Sequence, residues 1–406
     1  MKILVQKFGG TSVRDHDGRS RAITHIKSAI NDGYKVVVTV SAMGRKGDPY
    51  ATDTLLGLVE HPSSKITSRE QDMLMSCGET ISSVVFAHEL LDSGIRAASL
   101  SGAAAGFLTN DDFTRAKILR MDTSRLLSEL EQNDVVVVAG FQGKTEGGDV
   151  TTIGRGGSDT SAAALGAALK ADYIDIFTDV DGIMTADPRI VESARALHAV
   201  TYNEICNLAY QGAKVIHPRA VEIAMHAKVP MRVRSTYSDL PGTLVAASRE
   251  GEAGNDIPDR LVTGIAHMAG ISQIKVQSKE DSSKLQSEVF KSMAEANISV
   301  DFINISPSGV SYTIDSIYTH QALQILTDLG YEPEIREGCA KVSTVGAGIT
   351  GVPGVTAKIV QTLIERGVQI LQSADSHTTI WVLIKDEDLI QAVNALHDIF
   401  ELNVEK

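Results

Sequence analysis

The sequence predicts a large α/β domain, in which helices cover both faces of a mostly parallel sheet, followed by two small α+β modules of the βαββαβ type. Up to residue 237, short valine- and isoleucine-rich runs such as YKVVVTV and DVVVVAG alternate with amphipathic stretches rich in alanine and leucine. This alternation is typical of parallel strands joined by helices. After residue 260 an apolar pattern recurs at an offset of 70 residues, and its spacing in both copies is first helical and then strand-like. The matching positions are Val289, Phe290, Met293, Ile298 and Val300 in the first copy and Ile359, Val360, Leu363, Val368 and Ile370 in the second.

Four parts of the chain follow from these patterns. With 406 residues, the chain exceeds the length of a typical domain, about 100 to 200 residues. Between the two patterns lies SDLPGTLVAASREGEAGNDIPDR, which is rich in Pro, Gly, Ser and acidic residues and lacks sustained apolar periodicity. Such a composition predicts a linker. We therefore expect the α/β domain over 1–237, the linker over 238–260, and the modules over 261–337 and 338–406.

The bulk composition argues against several classes of partner. The formal net charge is −13 and no run of Lys or Arg reverses it locally, so neither nucleic acid nor an acidic membrane surface is expected to bind. The cysteines, Cys77, Cys206 and Cys339, have no CxxC spacing, which speaks against a zinc site or a disulfide framework. The N-terminal apolar run is too short for a signal peptide, and no stretch approaches roughly 18 apolar residues. The expected location is the cytoplasm.

The first motif is VQKFGGTSV, in which a strand ends near Lys7 and is followed by Gly9 and Gly10. Glycines let backbone N–H groups approach an anion closely, and Thr11 or Ser12 can cap the helix that follows. Lys7 would add a full positive charge. On this motif alone, a phosphate-binding loop and a strand-to-helix turn with a surface lysine are equally compatible with the sequence.

The second motif is TTIGRGGSDT, which places Arg155 among Gly154, Gly156 and Gly157 and begins an alanine-rich helix near Ser158-Asp159-Thr160. This arrangement indicates a second anion-binding loop that carries its own guanidinium. Its spacing differs from the Walker A pattern. A purely structural turn rarely needs an arginine between glycines, so the pattern favours a functional site.

Further polar groups follow strand ends or sit on apolar elements. Thr178-Asp179 ends an apolar strand, and the Asp181-Gly182 and Asp187-Pro188-Arg189 turns come next, where open α/β sheets bind ligands. Such pairs are also common in turns without a ligand. Glu79 lies on a largely apolar helix and needs a partner, which a substrate ammonium or a protein cation could supply. The remaining candidates are Ser41, Thr52, Asp53, Lys214, His217 and Arg219, of which a lone histidine is more often structural than catalytic.

Taken in order, KFGGTSV, SAMG, SCGETIS, AGFQG, TTIGRGGSDT, TDVDGIMTADPR, HPRAVE and RVRSTYSDLPGTL resemble the aspartokinase family of the amino-acid kinase superfamily. The resemblance continues into paired ACT domains and is closest to the monofunctional bacterial type. It implies the amino-acid kinase fold and a Mg²⁺- and ATP-dependent transfer of the γ-phosphate to the β-carboxylate of L-aspartate. The product would be 4-phospho-L-aspartate, the first intermediate on the way to lysine or diaminopimelate, threonine and methionine.

Carried over position by position, the resemblance implies three groups of site residues. The catalytic residues would be Lys7, Arg155 and Asp159, with Asp159 orienting the lysine. The ATP contacts would be Lys7, Phe8, Gly9, Gly10, Ser41, Thr178, Asp179, Met184, Arg189, Lys214 and Val215. The aspartate contacts would be Thr52, Glu79 at the amino group, Arg155, Gly156, Gly157 and Ser158. ATP and Mg²⁺ are the implied cofactors, with no metal site made by protein side chains alone.

The chemistry of the reaction agrees with this inventory. A β-carboxylate with a pKa of about 3.9 is ionised at neutral pH and needs no general base to attack phosphorus. Two anions must nevertheless meet, so catalysis should come from charge neutralisation by Lys7, Arg155 and Mg²⁺ together with in-line positioning.

The ACT pair implies feedback by an amino-acid effector and assembly into a homodimer or a higher homo-oligomer. The second copy, GAGITGVPGVTAKI, has a Pro-Gly turn before its helix, whereas residues 278–285 of the first copy read SKEDSSKL and lack that turn. The first copy could therefore bind a different effector or none. Lysine, threonine and meso-diaminopimelate stay open as effectors.

Three rival interpretations remain to be weighed. Gly346, Gly348 and Gly351 after a strand, with Asp375 further on, match a dinucleotide-binding fingerprint. Only 31 residues follow Asp375, too few to complete a doubly wound sheet. An amino-acid sensor with an inactive kinase fold is the second rival, although Lys7 and Arg155 are retained. A sister kinase acting on glutamate or acetylglutamate is the third.

Overall fold

The computed structural model describes residues 1–63, 65–213, 215–247, 261–277, 282–347, 349 and 352–404. These residues form two compact units. The N-terminal unit contains residues 1–183, 196–209 and 215–247, and the C-terminal unit contains 184–195, 210–213 and the described residues from 261 onward. Of the helices within these ranges, none is long and apolar enough to cross a membrane.

The strands of the N-terminal unit form two sheets. The larger has the order β10-β12-β11-β9-β1-β2-β6-β3 and the smaller the order β5-β4-β7-β8, with strand bounds β1 Lys2–Phe8, β2 Tyr34–Val40, β3 Ala97–Leu100, β4 Phe107–Thr109, β5 Ile118–Met121, β6 Val135–Ala139, β7 Gln142–Lys144, β8 Val150–Thr152, β9 Tyr173–Thr178, β10 Ala199–Thr201, β11 Met231–Ser235 and β12 Thr243–Ala246. In the larger sheet every neighbouring pair is parallel except β11 with β12. The prediction of a mostly parallel sheet is confirmed.

Helices cover both faces of the larger sheet. Their bounds are α1 His16–Asn31, α2 Thr52–Gly57, α3 Ser68–Asp92, α4 Ser124–Gln132, α5 Gly157–Leu169, α6 Tyr202–Tyr210 and α7 Pro218–Ala227. Helices α1 and α3 pack over the face that carries Phe8 and Phe177. Helix α5 lies on the opposite face, because its Gly166 meets Ile174, which points away from Phe177 along β9. The valine runs of β2 and β6 are buried on both faces, as in other covered parallel sheets.

The C-terminal unit contains one antiparallel sheet of six strands in the order β14-β15-β13-β16-β18-β17. The elements are β13 Gly264–Gln277, α8 Ser282–Glu295, β14 Asp301–Ser306, β15 Gly309–Asp315, α9 Thr319–Asp328, β16 Glu334–Val345, α10 Val355–Glu365, β17 Gln372–Asp375, β18 Thr379–Lys385 and α11 Leu389–Ile399. Short 3₁₀ turns, Ser316–Tyr318 and Asp386–Asp388, precede α9 and α11. The same order of elements therefore occurs twice, as the repeat predicts.

Two long strands are shared between the modules. β13 spans 14 residues and β16 spans 12, and the two strands pair along both halves of the sheet. Each module thereby reaches four strands although the sheet has only six. The repeat positions lie in separate cores, with Val289 and Met293 in one and Ile359 and Leu363 in the other. In the second copy Gly354 caps α10 with a φ of +93°, so the Pro-Gly turn stands where the sequence predicts it.

The structure adds detail to the predicted boundaries, which stay a prediction. Residues 243–246 of the expected linker form β12 of the larger sheet, and residues 248–260 lie outside the described residues, as do 278–281 of the first module's loop. Residues 184–195, expected within the α/β domain, fold with the C-terminal unit instead. Ala186 and Val191 are buried in that unit's core, in the same cluster as Leu396 and Leu402.

Candidate active site

One cleft of ≈ 690 Å³ in the N-terminal unit collects the residues of both glycine motifs. Strands β1 and β2 are parallel, with Phe8 opposite Val40, so their carboxyl ends finish at the same edge of the sheet. Lys7 and Gly10 come from the end of β1 and Ser41 from the end of β2. Helix α3 contributes Glu79, and the loop into α5 contributes residues 154–159.

The Lys7 side chain is held by Asp159. The Lys7 Nζ atom lies 2.7 Å from Asp159 Oδ1, and each side chain is 13% exposed. The second oxygen, Asp159 Oδ2, accepts a hydrogen bond from the backbone N–H of His217 at 3.2 Å. Because both carboxylate oxygens are engaged, the ammonium is fixed in the wall of the cleft while one side of it faces the cavity.

Two glycines allow close backbone contacts beneath the cleft. A Cβ at Gly10 would lie 2.7 Å from the carbonyl oxygens of Ala42 and Gly44, so the loops after β1 and β2 touch backbone to backbone. Gly156 has a φ of +70°, and a Cβ there would meet the His217 ring at 2.2 Å. Neither position has room for a larger residue. Gly156 caps α5, whose N-terminus therefore faces the cavity with its positive end.

Glu79 lines the cleft with a carboxyl group of which one oxygen is unsatisfied. Its side chain is 3% exposed, and Oε1 accepts a hydrogen bond from Ala42 N at 3.1 Å. The other oxygen, Oε2, is buried without a hydrogen-bond partner in the described part of the chain. Burial raises the pKa of Glu79 to about 8. A buried acceptor of this kind suits a ligand that brings its own positive charge.

The remaining polar groups of the cleft carry charge or hydroxyl oxygens. Ser41 Oγ donates to Ser158 Oγ at 2.9 Å, which joins the end of β2 to the start of α5. Arg155 and Thr52 also line the cavity, and no carboxylate of the described residues lies within ion-pair distance of the Arg155 guanidinium. The site thus combines two cationic side chains with one buried acidic acceptor.

Several predicted nucleotide residues lie outside the lining of the cleft. Phe8 is fully buried and its ring stacks on that of Phe177 with 4.6 Å between the centroids, so its side chain faces the core. Thr178 donates to Asp179, which pairs with Arg45 at 3.3 Å. Thr178 is the last residue of β9 and Asp179 follows it, and the carboxyl end of β9 lies beside that of β1.

The other nucleotide candidates come from elsewhere in the chain. Met184 and Arg189 belong to the segment that folds with the C-terminal unit, where Arg189 pairs with Asp187 at 2.7 Å. Val215 is half-buried and is not among the lining residues, and Lys214 lies outside the described residues.

Sequence reasoning missed several residues that line the cleft. Gln71 and Met75 precede Glu79 at helical spacing on α3, so the periodicity around Glu79 could have revealed them. Thr114 and Phe141 have positive φ angles of 70° and 66°, which no sequence pattern announced because neither residue is glycine. The His217 ring accepts a hydrogen bond from Arg219 N and caps α7, a structural role.

Comparison with known proteins shows the family of this chain. The sequence profile of the amino acid kinase family matches residues 2–235, and that of an ACT domain matches residues 334–398. The chain therefore belongs to the amino acid kinase family and carries a C-terminal ACT region.

Similar proteins narrow the family further. Aspartokinase 1 of Bacillus subtilis (strain 168) is 65% identical over 403 residues, which cover 99% of this chain and 100% of that protein. The aspartokinase of Geobacillus stearothermophilus is 39% identical over 408 residues, covering 99% and 98%. The chain belongs to the aspartokinase family, as its motifs predict.

Two solved structures agree with this assignment. E. coli aspartokinase III in complex with aspartate and ADP (R-state) superposes with a TM-score of 0.80 at 27% identity, covering 98% of this chain and 99% of that one. The same protein in complex with lysine and aspartate (T-state) gives a TM-score of 0.76 at 28% identity over the same shares. The predicted fold and the interpretation as an aspartate kinase with an ACT-type regulatory part are confirmed.

Proposed function

We propose that the cleft binds ATP and L-aspartate side by side and transfers the γ-phosphate to the β-carboxylate, giving ADP and 4-phospho-L-aspartate. The observation that carries this assignment is the buried Oε2 of Glu79, which has no hydrogen-bond partner among the described residues, in a cavity that also contains Lys7 and Arg155. A buried acidic side chain beside two cations complements a small amino acid that has one ammonium and two carboxylate groups. The complex of E. coli aspartokinase III with aspartate and ADP supports the same pair of ligands.

The acceptor would be held at both of its ends. Glu79 accepts the α-ammonium, and Arg155 binds carboxylate oxygens with its planar fork of N–H donors. Ser158, Gly156 and Gly157 lie at the N-terminus of α5, where the helix dipole favours negative charge. Thr52 lines the same cavity and offers a hydroxyl.

The nucleotide would place its phosphates over the first glycine motif. Lys7 neutralises phosphate charge, and Gly9 and Gly10 let the backbone approach the phosphate oxygens. Asp159 keeps the lysine in place through the 2.7 Å ion pair. The further nucleotide contacts that we propose are Phe8 through its backbone, Ser41, Thr178, Asp179, Met184, Arg189, Lys214 and Val215.

Magnesium fits this site as a companion of the nucleotide. The described residues contain no group of three or more His, Cys, Asp or Glu side chains that could hold a metal ion. Mg²⁺ needs only one or two carboxylates when phosphates supply other ligands, and Asp53 and Asp159 line the cleft. Asp53 or Asp159 would hold the ion there together with phosphate oxygens, and it would supply positive charge against the charge that develops during phosphoryl transfer.

The reaction needs no base from the protein. The β-carboxylate is already ionised at neutral pH, so the protein has to overcome the repulsion between two anions and align them. Lys7 and Arg155 provide the positive charge, in a cleft where Glu79 fixes the far end of the acceptor. The alternative of a sensor with an inactive kinase fold is disfavoured, because the Lys7–Asp159 pair and Arg155 are all in place.

Regulation and assembly are also proposals. We propose that an amino acid binds the ACT modules and inhibits the enzyme, as lysine is bound in one structure of E. coli aspartokinase III. Lysine, threonine and meso-diaminopimelate are the effectors to compare. A homodimer or a higher homo-oligomer and a cytoplasmic location are expected for such an enzyme.

The function is tested by incubating purified protein with Mg-ATP and, in parallel, aspartate, glutamate or N-acetylglutamate. ADP release is measured, and the acyl phosphate is trapped with hydroxylamine. We expect ADP and hydroxamate to form with aspartate only. The proposal would be refuted if protein freed of bound amino acids formed neither ADP nor hydroxamate with aspartate. Activity with glutamate or N-acetylglutamate instead would identify a sister kinase.

A further inference from the structure

Asp72 is a fully buried carboxylate on α3 that does not line the cleft. Its Oδ2 accepts hydrogen bonds from Thr114 N at 2.9 Å and from Thr152 N at 2.8 Å, and its Oδ1 accepts from Thr152 Oγ1 at 2.5 Å. Burial raises the pKa of Asp72, while these three bonds act against that rise. One side chain thus ties α3 to two separate backbone segments.

Arg219 on α7 binds the same two segments through their carbonyl groups. Its Nη1 donates to Ile153 O at 3.2 Å, and its Nη2 donates to Ala116 O at 3.4 Å. Burial lowers the pKa of this guanidinium, which marks a cation partly withdrawn from water. The backbone around residues 114–116 and 152–153 is therefore held by two side chains of opposite charge. Asp72 on α3 accepts from its N–H groups, and Arg219 on α7 donates to its carbonyl groups.

The two held segments are also joined to each other beside the cleft. Ala116 N donates to Thr152 O at 2.9 Å. Thr114 O lies 3.1 Å from the position that a Cβ on Gly154 would take, so the backbone at residue 114 is in close contact with the glycine loop at residue 154. Thr114, Gly154 and Arg155 all line the cavity.

We propose that Asp72 and Arg219 are positioning residues that fix the loop carrying Arg155 and thereby determine the affinity for the acceptor carboxylate. The inference rests on the proposed function, in which Arg155 binds aspartate. We call the side chains of Asp72 and Arg219 the clamp. Loss of either side chain lets residues 152–155 shift, and a shift of about 1 Å in a group that binds a reacting substrate has large kinetic effects. Lys7 lies at the end of β1, outside residues 152–155, and its ion pair with Asp159 involves neither the Asp72 nor the Arg219 side chain, so nucleotide binding should change little.

The chemistry of the clamp predicts which substitutions it tolerates. In Asp72→Asn the amide oxygen can still accept from both N–H groups, and the amide nitrogen can donate to the Thr152 hydroxyl. In Asp72→Ala two buried N–H groups lose their acceptor. Arg219→Lys keeps the charge but not the fork that reaches two carbonyls. A purely electrostatic role would reverse this order, because Asn loses the charge and Lys retains it.

A matched control is available in Glu204 on α6. Glu204 is also fully buried, and its Oε2 accepts from Thr201 N at 2.8 Å and Thr201 Oγ1 at 2.7 Å. It belongs to the same unit but does not line the cleft. Glu204→Ala should therefore lower the melting temperature much as Asp72→Ala does, without a selective effect on aspartate.

The test is steady-state kinetics on the full chain, with aspartate and Mg-ATP varied separately. We expect Asp72→Ala and Arg219→Lys to raise the KM for aspartate by about tenfold or more and the KM for ATP by less than about twofold. Asp72→Asn should stay within about threefold of wild type for aspartate. Should Asp72→Ala not fold, Thr152→Val can replace it, because this substitution removes only the hydroxyl donor. It should also raise the KM for aspartate more than the KM for ATP, but by a smaller factor.

Two outcomes would overturn the inference. One is an unchanged KM for aspartate in the clamp variants, and the other is an equal rise for both substrates, as in a general loss of structure. Wild-type activity with aspartate in the same assay shows that such a failure concerns the clamp alone. If wild type neither phosphorylates aspartate nor binds it in calorimetry, the proposed function and the clamp both fail.

Discussion

In the proposed mechanism, Lys7 is the protein charge that neutralises the phosphates of the nucleotide. Replacing it by alanine should reduce kcat by at least about a hundredfold, because the phosphoryl group loses its protein counter-charge. Folding should be little affected, since Asp159 keeps its bond from His217 N–H and its partial access to water. Turnover and melting temperature are the measurements, with the exposed Lys27→Ala on α1 as the control. Near-normal turnover in Lys7→Ala would refute the role.

Glu79 should make aspartate binding depend on pH. Burial raises its pKa to about 8, so below that pH the empty site holds a neutral carboxyl that cannot pair with an ammonium. The KM for aspartate should therefore fall as the pH rises from 7 to about 9. Glu79→Gln should raise the KM and remove this dependence. A parallel pH profile in wild type and Glu79→Gln would contradict the assignment.

The same residue affects stability in the opposite direction. Between the unfolded pKa of about 4.5 and the folded pKa of about 8, the folded chain keeps a proton that the unfolded chain has released. The contribution of Glu79 to the stability of the ligand-free protein is thus largest below that window and is lost as the pH rises through it. Melting temperatures of wild type and Glu79→Gln at pH 5 and pH 9 should show a smaller decline in the variant, and an equal decline would contradict this reasoning.

At the scale of residues, the sequence revealed groups whose chemistry is unusual for their surroundings. Arg155 between glycines and Glu79 on an apolar helix could both be recognised in this way. Asp72 could not, because an acidic residue near the start of a helix is the ordinary choice for a solvent-exposed first turn. Only the fold shows that Asp72 is buried and that its partners are the backbone of residues 114 and 152.

Helix α3 is the element on which much of the acceptor side depends. It runs over 25 residues, and its buried side carries polar groups such as Asp72, Ser76 and Glu79 because that side borders the cleft and its supports. At Gly78 an added Cβ would lie 2.8 Å from both Ala42 Cβ and Tyr50 O. The helix therefore touches the chain after β2 at a point where only glycine fits.

Gly78→Ala tests this close contact. Alanine favours a helix by about 1 kcal/mol over glycine, so an isolated helix would gain stability. Here we expect a loss of about 1–3 kcal/mol in the free energy of unfolding, because the methyl group overpacks a backbone carbonyl. Urea denaturation measures the change. Gly57→Ala at the end of α2 is the control, since a Cβ there meets nothing within 4 Å, and a stabilised Gly78→Ala would contradict the prediction.

Strong periodicity made some elements predictable and its lack hid others. The valine runs of β2 and β6 and the alanine-rich α5 follow directly from the sequence. Strands β4, β7 and β8 have three residues each, too few for an alternating pattern to stand out. The repeat at an offset of 70 residues showed two copies, but it could not show that β13 and β16 serve both, because strand partners are set by tertiary packing.

At the scale of the whole molecule, the order of residues along the chain does not match the division into compact units. Residues 184–195 lie within the sequence matched by the amino acid kinase profile, yet they bury Ala186 and Val191 in the C-terminal core. Within that unit, Asn394 Nδ2 donates to Ile190 O at 3.1 Å, and Arg195 Nε donates to Leu402 O at 3.0 Å. No local sequence pattern predicts that residues 184–195 belong to the C-terminal unit, because a short apolar stretch has the same pattern whichever core it packs into.

Removing the C-terminal region should therefore expose an apolar segment of the part that remains. A chain ending at residue 260 keeps Ala186 and Val191 but loses the rest of the core cluster in which they are buried, including Leu396 and Leu402. We expect a lower melting temperature and concentration-dependent aggregation, measured by thermal unfolding and light scattering.

The substitution Val191→Asn should have opposite effects in the full and the truncated chain. It should destabilise the full chain by burying an amide in an apolar core, and it should reduce aggregation of the truncated chain by making the exposed segment more polar. A truncated chain as soluble and stable as the full one, or Val191→Asn acting in the same direction in both, would show that the segment does not depend on the C-terminal core.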